Sequence, residues 1–254
     1  MRQKAELFNE LHKKGNPLIL FNIWDAGSAR AVEEAGARAI ATGSWSVAAA
    51  HGFADGQKLP FDLALANLKR IVESVRLPVT LDFEGGYADD ISGLKENVEK
   101  IIAAGAVGIN FEDQIVGGQG LYTIDQQAAR IRAIRETAEA NDIGLFINAR
   151  TDVFLKTPPA EHGAQQLAET IARAAAYAQA GASGFFAPGL RNPDLIKELC
   201  ESSPIPVNIM VLPDTPPNAE LAALGVARIS YGPGPYRQMI ESLKNAAANA
   251  FSGI

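Results

Sequence analysis

Ala35-Gly36-Ala37-Arg38-Ala39-Ile40 returns as Ala104-Gly105-Ala106-Val107-Gly108-Ile109 and as Ala180-Gly181-Ala182-Ser183-Gly184-Phe185, and more loosely as Leu224-Gly225-Val226-Ala227-Arg228-Ile229. Each copy follows a helical pattern and leads into a short apolar run. Glycine just past a helix supplies the left-handed residue that closes it, so each copy marks a helix end and a strand start. A second signal is proline just before an apolar run: Asn16-Pro17-Leu18, Leu77-Pro78-Val79 and Pro204-Ile205-Pro206-Val207. Proline is tolerated at the first residue of a strand. Interleaved, the two signals predict strands near 18–22, 38–42, 78–82, 107–111, 143–148, 184–187, 205–209 and 227–230. Helical patterns fill the intervals near 26–35, 61–75, 90–104, 124–140, 161–180, 192–202 and 217–224, with a last helix near 235–250. Eight strands alternating with helices predict an α/β fold, a (β/α)8 TIM barrel, with an amphipathic helix starting at Met1. A doubly wound open sheet is the competing architecture. No composition break divides the chain, so residues 1–254 read as a single domain.

The bulk composition excludes several functions. The 254 residues are 47% hydrophobic and 20% charged, which suits a large globular core. Net charge is −6 with no basic run, so neither nucleic acid nor an anionic membrane is the expected partner. No apolar run approaches the roughly 18 residues of a membrane span, and the start of the chain has no apolar signal-peptide core. A single cysteine, Cys200, fits a reducing cytoplasm; it falls on a helix and reads as structural.

Active sites of such barrels form at the C-terminal strand ends. Those ends carry Trp24 and Asp25; Gly43, Ser44 and Trp45; Asp82 and Glu84; Glu112 and Asp113; Asn148, Arg150 and Asp152; Pro188; Asn208; and Ser230. Thr80-Leu81-Asp82-Phe83-Glu84-Gly85-Gly86-Tyr87 is the most telling of them. Residues i and i+2 of a strand share a side, so Asp82 and Glu84 are expected to project together. Two adjacent carboxylates repel unless a cation or a shared proton separates them, and oxygen-rich sites suit Mg²⁺ or Mn²⁺. Arg150 among these acids suits a clamp on an anionic substrate. Gly43 and Ser44 offer backbone N–H groups to the same anion. The competing reading is a ring of internal salt bridges centred on Arg150.

These residues carry a family resemblance. The chain resembles the isocitrate lyase/phosphoenolpyruvate mutase superfamily from Leu18 to about Tyr236, as a phosphoenolpyruvate phosphonomutase-like member. Asp82-Phe83-Glu84-Gly85-Gly86-Tyr87 is similar to its Asp-x-Asp-x-Gly-Tyr metal motif. Asn110-Phe111-Glu112-Asp113-Gln114 and Ala149-Arg150-Thr151-Asp152 are similar to two further motifs. Gly43-Ser44-Trp45-Ser46 stands at its substrate loop, and Asp55 at an acid bonded to a metal-bound water. The resemblance implies Mg²⁺ held directly by Asp82, with Glu84, Glu112 and Asp55 reaching it largely through waters. It implies a lyase or decarboxylase that cleaves a C–C bond of a small 2-oxo or 2-hydroxy dicarboxylic acid through a pyruvate-like enolate. The alternative is P–C chemistry, as a phosphonomutase or phosphonopyruvate hydrolase. Arg150, Glu112 and Asp55 would serve catalysis. Gly43, Ser44, Trp45, Arg150 and Asn208 would bind substrate. Family members exchange their eighth helices between subunits, so a dimer or tetramer is expected, with 235–250 beginning that exchange.

Three departures matter. Glu84 stands where the family motif has an aspartate, adding a methylene and shifting the metal's water shell. The loop Ile115-Val116-Gly117-Gly118-Gln119-Gly120-Leu121-Tyr122 has no Cys, His or Lys where family lids carry them. The sixth strand ends in Phe186-Ala187-Pro188-Gly189, where methylcitrate-type lyases have a glutamate. His51, Tyr87 and Tyr122 are weaker proton-relay candidates, for which capping or packing is the simpler role. Gly232-Pro233-Gly234 reads mainly as the turn into the final helix.

Overall fold

The computed structural model describes residues 1–252. In chain order the elements are α1 (Arg2–Glu10), β1 (Leu18–Leu20), α2 (Ala26–Glu34), β2 (Ile40–Ala41), α3 (Ser44–Ala50), α4 (Phe61–Ser74), β3 (Val79–Asp82) and α5 (Ile91–Ala103). There follow β4 (Gly108–Glu112), α6 (Ile124–Ala140), β5 (Phe146–Arg150), α7 (Val153–Lys156), a short 3-10 turn (Pro159–Glu161), α8 (Ala164–Gln179) and β6 (Gly184–Phe186). The last elements are α9 (Pro193–Ser202), β7 (Val207–Met210), α10 (Asn218–Ala223), β8 (Arg228–Ser230) and α11 (Gly234–Ser252).

The repeat glycines close four helices in the expected way. Gly36, Gly105, Gly181 and Gly225 have φ of 96°, 96°, 99° and 90°. In each case the next N–H reaches back five residues: Ala37 to Val32, Ala106 to Ile101, Ala182 to Tyr177 and Val226 to Leu221. That is the Schellman closure. Helix starts are fixed as locally. Asp25 and Ser28 form a reciprocal cap on α2, and Thr123 and Gln126 do the same on α6.

All eight strands run parallel in the order β1-β8-β7-β6-β5-β4-β3-β2. The pairing of β1 with β8 is what an open doubly wound sheet lacks, so the competing architecture is excluded. The two ends of that order meet at a seam. Ile23 N–H donates to Ala41 O at 2.9 Å and Gly43 N–H donates to Ile23 O at 3.1 Å. The Asn22 amide completes the seam, donating to Thr42 O at 2.9 Å and accepting from Gly232 N–H at 2.8 Å.

The N-terminal end of the barrel is plugged by α1 and the residues after it. Phe8 meets Phe146 edge-on at 5.4 Å, and the buried His12 ring stacks on Phe146 at 3.9 Å. Gly108 leaves room for this plug, since a Cβ there would lie 2.8 Å from the Phe8 ring.

Strand 1 has an unusual outer face. Ile19 is 38% and Phe21 42% exposed, although β1 belongs to the barrel wall. The helix that follows β8 buries only Pro235. A groove of about 740 Å³ separates α2 from α11, and a second of about 590 Å³ continues along Ile19, Phe21 and Val32.

Candidate active site

A cavity of about 160 Å³ opens at the C-terminal mouth of the barrel. Of the residues expected from the sequence, Gly43, Ser44, Trp45, Asp55, Asp82 and Arg150 line it together. Glu84, Glu112 and Asn208 are buried just outside that wall. Asn110 lines the cavity as well and was not among the expected site residues. Its signal was an amide inside the buried run Gly108-Ile109-Asn110-Phe111-Glu112.

Asp82 is the last residue of β3, and its carboxylate is held in place. Oδ2 accepts from Ser44 N–H at 2.9 Å and from Ser44 Oγ at 2.8 Å. The Ser44 amide thus serves Asp82, and the Gly43 amide serves Ile23, so neither is left for a substrate anion. The stretch Ser44–Ala50 forms a helix where the sequence reading placed a loop, so the amides of Trp45 and Ser46 begin α3 without an intrahelical acceptor.

Asp82 and Glu84 do not share a strand face as expected, because β3 stops at Asp82 and Glu84 has φ +50°. Its carboxylate is fixed instead by Gln57 N–H at 2.7 Å and Tyr87 OH at 2.9 Å. Burial, and then the nearby Asp82 charge, push the Glu84 carboxyl up to about 7. Asp55 keeps an exposed flank at the rim, yet the protein crowding its inner side and the Asp82 charge raise it too. Tyr87 combines two roles, packing on Phe61 at 5.1 Å while donating to Glu84.

Arg150, at the end of β5, ties two acids together. Its Nη1 lies 2.9 Å from Glu112 Oε2, while Nε and Nη2 bind the two oxygens of Asp152 at 2.6 and 2.8 Å. Burial alone would lower Arg150, but Glu112 and Asp152 hold it well above the ordinary value. Burial raises Glu112, with Arg150 opposing. The salt-bridge ring is therefore real around Arg150. It uses three of the five guanidinium N–H groups and leaves two. Behind it, fully buried Asp113 accepts from Asp152 N–H at 3.0 Å, Arg173 Nη1 at 3.0 Å and Tyr177 OH at 2.9 Å. That network fixes the backbone on which Arg150 and Glu112 stand.

The loop after β4 is short and folded back. Gln114 and Leu121 form a bridge, and Val116 sits over Gly85 and Gly56. His51 Nδ1–H donates to Val47 O, 2.9 Å away, on an exposed helix end, which agrees with the capping role. Cys200 is buried within α9.

The donor chemistry fits a hard divalent cation. Asp82, Asp55 and Glu84 crowd one region and raise the carboxyls at its margins, which is the condition a bound cation relieves. Among the described residues no three acid, His or Cys side chains converge closely enough to ligate one ion directly. Mg²⁺ commonly keeps several waters and takes only one or two carboxylates. This arrangement suits one direct ligand, Asp82, with the other acids acting through water.

The chain is similar to several known proteins. The family described as phosphoenolpyruvate phosphomutase matches residues 8–251. A Burkholderia cenocepacia J2315 protein whose crystal structure carries a provisional phosphonomutase label is 49% identical, with a TM-score of 0.96 over 98% of this chain and 99% of its own. The uncharacterised Mycobacterium tuberculosis protein Rv1998c is 33% identical over 97% of this chain and 89% of its own. The 2-methylisocitrate lyase of Escherichia coli K12 is 26% identical over 94% and 81%.

Proposed function

We propose that this chain, which belongs to the phosphoenolpyruvate phosphomutase family, is a Mg²⁺-dependent single-domain lyase or decarboxylase acting on a small 2-oxo or 2-hydroxy dicarboxylic acid. It breaks a C–C bond and releases a pyruvate-like enolate. The observation that carries this reading is one cavity in which Asp82 and Asp55 face Arg150. Such a wall suits a chelated cation on one side and a substrate carboxylate on the other.

Asp82, prepositioned by Ser44, would hold the metal, with Asp55, Glu84 and Glu112 orienting its waters. When bound, Mg²⁺, or Mn²⁺ in its place, supplies Lewis-acid stabilisation of developing negative charge. The two N–H groups that Arg150 has left bind a substrate carboxylate, and the ion pairs with Glu112 and Asp152 keep the guanidinium from swinging away. The amides of Trp45 and Ser46 give a second, uncharged set of donors to the anion. Val116 over Gly85 and Gly56 helps exclude water from the acid side of the cavity.

P–C bond chemistry, as a phosphonomutase or phosphonopyruvate hydrolase, is the second reading. The 49% identity to a protein labelled provisionally as a phosphonomutase favours it. A screen of 2-oxo and 2-hydroxy diacids and phosphonates, with and without Mg²⁺, separates the two through pyruvate and phosphate release. Asp82→Ala is expected to abolish turnover with the fold intact. Retained turnover in Asp82→Ala, or turnover unaffected by a chelator, overturns the reading.

The uncovered face of β1 and the two grooves beside α11 support a homo-oligomer in which a second copy covers Ile19, Phe21 and Val32. No helix among the described residues is long and apolar enough to cross a membrane. With its one buried cysteine, we assign the chain to the cytoplasm.

A further inference from the structure

Beneath the cavity, the barrel interior holds a charge that no carboxylate pairs directly; the Asp82 charge acts on it only from across Asn110. Arg228, on β8, is 1% exposed and is the largest side chain sealed inside the molecule. Among the described residues no carboxylate lies within ion-pairing distance of it. Its Nη2 donates to Asn110 Oδ1 at 3.0 Å and its Nε lies 3.4 Å from Ser230 Oγ, while Nη1 has no partner. A buried guanidinium without a carboxylate is costly. An aspartate at position 110 would have neutralised it, yet the chain places an amide there.

That amide is locked. Asn148 Nδ2 also donates to Asn110 Oδ1, at 2.9 Å. Two donors from two other strands converge on one oxygen, which settles which way the amide points. The Asn110 NH₂ must face the opposite way, where Asp82 Oδ1 stands at 3.5 Å and the cavity opens beside Arg150. A positive charge on the carbonyl side also polarises the amide and strengthens its N–H as a donor.

We infer that Asn110 contacts the substrate, donating from Nδ2 to an oxygen of the bound anion, and that Arg228 is its positioning residue. This rests on the reading of the cavity as a metal-assisted acid site. It adds a neutral donor and a buried charge below it. A donor here meets the anion next to the proposed metal ligand without competing for the metal, which a carboxylate would do. Ser230 and Asn208, joined at 3.2 Å, keep the rest of the floor in register with Arg228.

Oxalate, a flat dianion resembling the enolate of a 2-oxo acid, is the probe. Its affinity is measured by calorimetry at saturating Mg²⁺, with thermal stability read in parallel. Wild type is expected to bind oxalate only with Mg²⁺. Asn110→Leu, which removes the donor without adding charge, and Asn110→Asp are each expected to weaken oxalate at least tenfold, the scale of a charge-assisted hydrogen bond. Arg228→Met should weaken it similarly, and Arg228→Lys should restore most of the affinity. A purely structural network would lower the melting temperature of Arg228→Met and leave oxalate affinity in the folded protein within twofold. That result, or unchanged affinity in both Asn110 variants, overturns the inference alone. Absence of Mg²⁺-dependent oxalate binding in wild type overturns the reading of the cavity and this inference with it.

Discussion

Acidification should destabilise this protein through one residue at the closed end of the barrel. His12 stacks on Phe146, its Nδ1 lies 2.7 Å from Phe8 O, and its buried Nε2 has no partner. Burial, and then the Arg228 charge, push the imidazole down to about 3 from the ordinary 6.5. A group with a depressed folded pKa gives stability that is complete above the unfolded value and is lost as pH falls. The window therefore runs from about 6.5 down to about 3. At pH 5 about thirty unfolded chains bind this proton for each that does not, while the folded state leaves it off. The loss relative to pH 7.5 is then about 2 kcal/mol from this one group. For a domain of this size that is a drop of about 4–8 °C in melting temperature. Carboxylates contribute to the same trend, so the measurement is a comparison. His12→Phe keeps the aromatic stack and removes the titrating nitrogen. Melting curves of both proteins at pH 7.5 and pH 5.0 should show the variant losing about 2 kcal/mol less on acidification. Equal losses in the two proteins would mean that His12 is already protonated in the fold or hydrated, and the argument from burial would fail.

Asp113→Asn should destabilise by about 2–4 kcal/mol in urea unfolding at neutral pH. It removes the charge facing buried Arg173, although Glu169 at 2.8 Å still compensates part of it; a loss below about 1 kcal/mol would contradict a strongly coupled Asp113–Arg173–Tyr177 cluster. Light scattering of the full chain should give a mass of at least two copies, and Phe21→Asp should shift it towards one, because the exposed face of β1 is the proposed contact. A monomeric wild type would refute that surface as an interface.

Much of the fold could be read from the residues because its punctuation is local. The residue that closes each helix takes a left-handed backbone, which glycine adopts without strain, so the four repeat glycines announce helix ends without any tertiary information. What escaped was set by packing over distance. The seven-residue helix α3 was hidden because Gly43-Ser44-Trp45-Ser46 lacks a side-chain cap; the alanines at 48–50 were its signal. Glu84 was expected to share a face with Asp82. A strand ends where its ladder ends, however, and only the Gln57 and Tyr87 contacts show where the side chain then goes. Glycine and serine at 43 and 44 read correctly as part of the mouth, but which amide serves which acceptor is a three-dimensional matter. Asn110 and Arg228 lie 118 positions apart and meet only because the barrel closes. Nothing near either in the chain foretells the other.

The junction at Ile23 is a single bridge to Thr42, with two main-chain links and the Asn22 amide, where other neighbouring strands pair over two to five residues. Asn22, Gly43 and Gly232 all border the cavity. A guest lodged in the mouth thus bears on the weakest stave of the cask. Occupancy and hoop tension are thereby linked: a ligand that touches Asn22 together with Gly43 or Gly232 holds the first and second strands together, and amide exchange at Ile23 and Gly43 is expected to slow when it binds.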